Sequence, residues 1–340
     1  MNNLQIINLM IALTFMALTV KSQESTNDFY DDAETYTLAG STKIQLGGEI
    51  GNPGIIEITE LPLRSLIVKE ALASGDSNRF TGAYRYDGYS LYDMLNHVLL
   101  KKNNEAEFPP IIDLFVKVEN DSGESVVFSW GEIYYPVHRH EIIIATKAAR
   151  IVPSKTKELW PLPHEVKLIA GQDLLTERNI SNPVRITVLS AKISYPVNRE
   201  LKPLFSSEIL IKNGDQYLER ITLSTDPGQK LTYETIFYGR GRGIHSTTPF
   251  YGIPLKDKLK PYCSINQENL RQGYFVIASI DGYRCVYTFS EIFNRNDQAE
   301  VLLVEDPENQ DGGAFRLFPA ADFFSDRAVK AVSEIRLIKE

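Results

Sequence analysis

Cysteine is scarce in this sequence: 340 residues hold only Cys263 and Cys285, both in the C-terminal half. Two thiols permit at most one bridge. In an oxidising compartment they can pair, or they can remain buried free thiols, and spacing alone does not give the Cα separation that decides it. Net basic charge is also missing. Thirty-six Lys and Arg face 44 Asp and Glu, a formal charge of -8, so no chain-wide positive field favours nucleic acid. Beyond the first residues no run is apolar enough to cross a membrane. No nucleophile elbow, phosphate-binding Walker loop, dinucleotide fingerprint or HExxH helix is present.

What is there begins with an export signal. Residues 1–22 carry the apolar run Leu9–Leu18 and end in Val20-Lys21-Ser22 before Gln23. The run is short for a membrane span, so cleavage is expected, leaving a secreted or periplasmic protein. No Cys follows the run to take a lipid. Residues 23–34 are acidic and rich in Ser, Asn and Asp, the composition of a solvated, disordered tail.

The mature chain is long for one core, and its hydrophobic fraction of 43% is enough for two. Tyr and Phe lie in β-like runs with short alternations such as Ile44, Leu46 and Ile50, which predicts a strand-rich fold. Asp87-Gly88 reads as a turn. Ser90 can cap a helix whose apolar face is Leu91, Met94, Leu95, Val98 and Leu99. Ile142–Ala145 reads as a buried strand, and Lys147–Lys157 as a basic loop before Trp160.

These signals recur in order. Gly88-Tyr89-Ser90-Leu91-Tyr92-Asp93-Met94-Leu95 matches Gly252-Ile253-Pro254-Leu255-Lys256-Asp257-Lys258-Leu259. Phe115-Val116 with Ser122-Gly123 matches Phe275-Val276 with Asp281-Gly282. Ser129 with Glu132-Ile133 matches Ser290-Glu291-Ile292. Glu141–Ala145 matches Glu300–Val304. Val166–Asp173, closed by the strand residues Val184, Ile186 and Val188, matches Phe315–Asp322 closed by Val332, Ile335 and Leu337. Five ordered matches predict two tandem units, 35–194 and 200–340, joined near Tyr195-Pro196-Val197-Asn198.

The order of these motifs resembles the molybdopterin-binding domain of the sulfite oxidase family, once per unit. The features that carry it are Gly252-Ile253-Pro254-Leu255, Asp281-Gly282, Arg316-Leu317-Phe318-Pro319 and Val329–Leu337, with weaker counterparts at Gly88–Leu91 and Lys167–Gly171. The resemblance implies an α+β fold, predominantly β with short helices. It also implies molybdopterin as cofactor, with the metal held by a Cys thiolate before the G-x-P-L segment. That region reads Thr235–Gly243 in one unit and Ile67–Gly75 in the other, and neither has a Cys. A soft thiolate ligand is not replaced by Tyr or Ala, so no resident cofactor is expected.

The sharpest local feature is Gly239-Arg240-Gly241-Arg242-Gly243-Ile244-His245. Alternating glycines let backbone approach a ligand, and guanidiniums suit phosphate or carboxylate. Arg240, Arg242 and His245 are therefore the expected anion contacts, with Arg327 and Lys330 joining them if the loop after Pro319 faces the same cleft. Ordinary solvated charge is the alternative for all five. His138 and His140 sit at strand spacing, but no third and fourth ligand is supplied, so an exposed polar loop is expected rather than a metal site. The expectation is an exported, non-catalytic protein that binds an anionic small molecule or an envelope protein. A molybdopterin-dependent oxidoreductase with atypical ligation is the rival.

Overall fold

A computed structural model describes residues 34–75, 77–223, 229–308 and 312–340. The export signal at 1–22 and, apart from Glu34, the tail at 23–34 lie outside the described residues. The chain is mostly β, 47% strand and 12% helix, with every helix short.

In chain order the first half contains β1 (Tyr36–Thr37), β2 (Lys43–Gly48), β3 (Gly54–Glu57), β4 (Leu63–Ser74), β5 (Ser77–Ser90), β6 (Leu114–Asn120), β7 (Ser125–Ser129), β8 (Ile142–Arg150), β9 (Lys167–Ala170) and β10 (Pro183–Ser190). The second contains β11 (Glu208–Asn213), β12 (Gln216–Thr222), β13 (Leu231–Tyr233), β14 (Phe237–Gly239), β15 (Gly243–Ser246), β16 (Phe250–Pro254), β17 (Gly273–Ser279), β18 (Arg284–Thr288), β19 (Val301–Glu305), β20 (Phe315–Pro319) and β21 (Val332–Lys339). Four main sheets give a four-blade, propeller-like arrangement in outline. Their strand order is not a simple meander, because it repeats in pairs. The sheet β3-β2-β10-β6-β7 recurs as β12-β11-β21-β17-β18, and β4-β5-β8-β9 recurs as β13-β16-β19-β20. Each first-named sheet has one parallel pair at the same place, β2 with β10 and β11 with β21. The β14–β15 hairpin belongs to the second half alone and pairs with neither repeat.

Burial explains why some strands alternate and others do not. β2 faces water on one side, so Ile44 and Leu46 are buried while Lys43 and Gln45 are exposed. β17 and β18 are buried along their whole length. Their second face lies against β6 and β7 of the other half, where Phe115 stacks on Tyr274 at 4.7 Å beside Val127, Val276 and Val286. Two larger cores flank this seam, one built from the first half and one mostly from the second, with Phe108, Ile112, Tyr135 and Leu175 of the first half joining it.

Several local expectations are corrected. Asp87-Gly88 is not a turn: both residues lie inside β5, and Gly88 is needed because a Cβ there would sit 2.2 Å from the Ile144 carbonyl oxygen. Gly252 occupies the same place against Leu303. The helix capped by Ser90 ends at Leu95, leaving Leu99 68% exposed. β8 runs on to Arg150, so Lys147 is a strand residue rather than part of a loop. The two capping boxes are Ser129 with Glu132 and Thr288 with Glu291. The partner of Ser129 in the repeat is thus Thr288, not Ser290.

These caps organise the seam. Glu132 and Asp173 both bind Arg178, at 3.0 and 2.6 Å, and the Arg178 guanidinium also reaches the Thr288 hydroxyl across the seam at 3.4 Å. In the mirror arrangement Glu291 and Asp322 both bind Arg327 at 2.7 Å, and Arg327 donates to the Ser129 hydroxyl at 3.1 Å. Backbone bonds repeat the symmetry. Phe323 N–H donates to Tyr135 and Val137 N–H to Ala321, while Leu174 N–H donates to Asn294 and Asn296 N–H to Gln172.

Candidate functional site

The Gly-Arg-Gly-Arg-Gly stretch folds into the tip of the β14–β15 hairpin. Its glycines serve the turn rather than a ligand. Gly243 has φ +73°, which a Cβ resists, and a Cβ on Gly239 would lie 2.2 Å from His245 Nε2. Gly241 meets no such constraint. The hairpin is tied down at the Tyr238–Phe324 bridge.

Beside the hairpin lies a cavity of about 290 Å³. Arg242 and His245 line it from the hairpin, and Lys330 from the segment before β21. Arg316 of β20, Ser279 and Asp281 at the β17–β18 turn, Tyr283, and Ser325 with Asp326 complete its polar wall; Leu204, Phe237 and Ala328 are apolar. Three of the five expected site residues are thus brought together.

The other two are placed elsewhere. Arg240 turns away, pairing with Asp326 Oδ1 at 2.6 Å over the Tyr135 ring. Burial works against its charge, but the Asp326 bond wins and holds its pKa above the ordinary arginine value. Arg327 is 2% exposed and consumed by Asp322, Glu291, Ser129 and the Val286 carbonyl. It holds the seam and does not reach the cavity, because two buried carboxylates bind a guanidinium far more strongly than an open cleft does.

Arg316 is the residue that sequence reading quoted and passed over. It alternates with Phe315 and Leu317, which are buried in the core, so its side chain leaves on the opposite face. It lies over the Phe237 and Phe250 rings, 5.7 and 5.2 Å from their centroids. It makes no ion pair among the described residues, and its Nε is buried without a hydrogen-bond partner. Burial pulls its pKa below the ordinary value, with distant Asp306 opposing. Asp326 Oδ2 and Ser279 Oγ are likewise buried and unpartnered.

A larger cavity of about 720 Å³ runs along Ser65–Ile67, Pro136–His138 and Arg295–Asp297. Its cation is already committed, since Arg295 pairs with Asp297 at 2.5 Å, and none of its lining atoms is among the buried unpartnered ones. Size therefore ranks it first and chemistry ranks it second. His138 and Arg139 are exposed, His140 adopts φ 72°, and its Nδ1 lies 3.0 Å from Ser90 Oγ. Among the described residues no cluster of three His, Cys, Asp or Glu is placed to hold a metal.

Both cysteines are buried and free. Burial pushes the Cys263 thiol up to about 11 and raises Cys285 further, against the opposing charge of Arg327. Neither lines the cavity.

No family model matches this chain, and no curated protein matches it either. Its function has to be argued from the cavity itself.

Proposed function

We propose that this chain is an exported, non-catalytic binding protein, built on a sulfite oxidase-like scaffold used twice, whose ligand is a small organic anion held in the cavity beside the β14–β15 hairpin. One observation carries the reading: Arg316, partly buried and lacking a carboxylate partner, is the cation that an anionic group would complete. A partly buried cation without a counter-charge is costly, so an anion placed beside it is favoured. Arg242 and Lys330 add positive charge to the same wall.

The metal half of a molybdopterin does not fit these residues. Thiolate ligation needs an accessible thiol of ordinary or lowered pKa, and burial keeps both cysteines protonated and out of the cavity. The buried carboxyls whose pKa burial raises beside the arginines support binding over catalysis. Asp173, Asp322 and Glu132 sit in the arginine clusters of the seam, where their displacement serves structure.

The test is a thermal-shift and calorimetric screen of phosphorylated and carboxylated small molecules on the mature chain. At least one should raise Tm, and Arg316→Gln should abolish the shift while leaving the unliganded Tm close to wild type. If no anion in the screen binds, the reading falls. Stoichiometric molybdenum or tungsten by elemental analysis of protein from its native compartment would replace it with an oxidoreductase.

A further inference from the structure

We infer that the occupant of this cavity is a small zwitterion, carrying an anionic group and a hydrogen-bond-donating ammonium on one short frame. The inference rests on the anion-binding reading and sharpens it. A site for a fully ionised anion such as sulfate presents donors only. This wall presents both signs: Arg242, Arg316 and Lys330 against Asp281 and Asp326.

The unpartnered atoms are mixed in the same way. Arg316 Nε can only donate, Asp326 Oδ2 can only accept, and Ser279 Oγ can do either. Asp326 is half used. Its Oδ1 takes both the Nε and Nη2 of Arg240, at 2.8 and 2.6 Å, while Oδ2 takes nothing. Of the other polar groups on this wall, Tyr283 is already committed, its O–H to the Asp326 carbonyl at 2.7 Å and its N–H to Asp281 Oδ1 at 3.0 Å. Sulfate would pair with Arg316 and then face two carboxylates without a proton to give them; hydrogen phosphate has a proton to give but would set its own negative charge against theirs. A molecule with an ammonium at its other end can set its anionic group toward Arg316 and its ammonium toward Asp281 and Asp326, leaving no like charges facing each other. The volume of about 290 Å³ lies at the small end of ligand cavities, and Phe237 and Leu204 suit a short apolar frame. The chemical class that meets these terms is the free amino acid and its close relatives.

The experiment uses the full mature chain. The twenty standard amino acids are titrated by calorimetry, each beside its N-acetyl derivative, which lacks the ammonium, and its amide, which lacks the carboxylate; inorganic phosphate is the plain-anion probe. At least one amino acid should bind, with both derivatives weaker by about tenfold or more. Asp326→Asn should weaken the amino acid by a similar factor while leaving phosphate unchanged or tighter. Arg316→Gln should weaken both. Asp281→Asn leaves the Arg240–Asp326 pair intact, removes the other carboxylate of the wall and should weaken the amino acid alone, which guards against misfolding of the Asp326 variant. If the N-acetyl form binds as tightly as its parent, or phosphate binds and no amino acid does, the zwitterion is wrong and the anion reading stands. If none of these probes binds the wild-type chain, both fall.

Discussion

Replacing Arg178 with Met removes the cation from a buried cluster while keeping similar volume. Arg178 is 1% exposed, and it is the shared partner of Asp173 at 2.6 Å and Glu132 at 3.0 Å. Both carboxylates are fully enclosed, so neither regains water when the guanidinium goes. Breaking a buried pair by removing one partner costs about 3–5 kcal/mol. For a cooperative unit of about 150–250 residues that corresponds to a Tm drop of about 6–20 °C. The pH dependence follows from sign. Burial already pushes Asp173 up, and burial with nearby Glu291 pushes Glu132 up to about 7, against the pull of Arg178. Without Arg178 that push is unopposed, and both folded-state pKa values move well above the unfolded ones. The folded variant then binds more protons than the unfolded chain, so its stability is retained below the unfolded pKa and lost as pH rises through the folded one. The deficit should be small near about pH 4–5 and still growing at about pH 8. Adding Glu132→Gln and Asp173→Asn should recover much of it, less about 1 kcal/mol for the weakened helix cap. The assay is thermal unfolding of wild type, single and triple variants across that range. A Tm within about 1 °C of wild type, or a deficit that does not change with pH, would refute the reasoning.

Other outcomes follow from the same geometry. Lys102→Met should cost less than Arg178→Met in chemical denaturation, because Asp113, bonded to Lys102 at 2.6 Å, keeps Arg284 at 3.6 Å as a second cation. Gly88→Ala drives a methyl onto the Ile144 carbonyl and should cost about 1–3 kcal/mol, with Gly252→Ala milder because its clearance is 2.8 rather than 2.2 Å. Both thiols should resist a water-soluble thiol reagent in the native protein and react only with unfolding; rapid native labelling of either would contradict their burial. Combining Arg178→Met with Arg327→Met should cost measurably less or more than the sum of the singles, since the two clusters touch through Thr288 and Ser129.

Much of the β architecture was legible because alternation is a local signal. Ile44 and Leu46 announce a strand with one wet face, and Ser90 announces a helix start, without reference to anything distant. The repeat was legible through order, yet its best line was cut short. Asp173-Leu174-Leu175-Thr176-Glu177-Arg178 matches Asp322-Phe323-Phe324-Ser325-Asp326-Arg327 residue for residue in kind. Reading it through would have paired Arg178 with Arg327 and marked both as structural. The capping register slipped because Ser290 resembles Ser129 in type, and only the capping bonds show that Thr288 holds its position. The pairing of Arg240 was not legible because its partner Asp326 is 86 residues away, beyond any local pattern. Arg316 was visible as part of a motif, but that its face of β20 borders a cavity depends on the hairpin packing beside it, which no spacing encodes.

The crossed hydroxyls at the seam also bear on inheritance. Ser129 opens a helix in one half and receives the guanidinium of the other; Thr288 does the reverse. A gene severed near Asn198 would encode two fragments, each with an arginine knot missing its foreign hydroxyl and an aromatic wall missing its mate. Such fragments would be poorly soluble apart and complementary together. Neither half completes its own arginine knot alone, so each depends on the other for the hydroxyl it lacks.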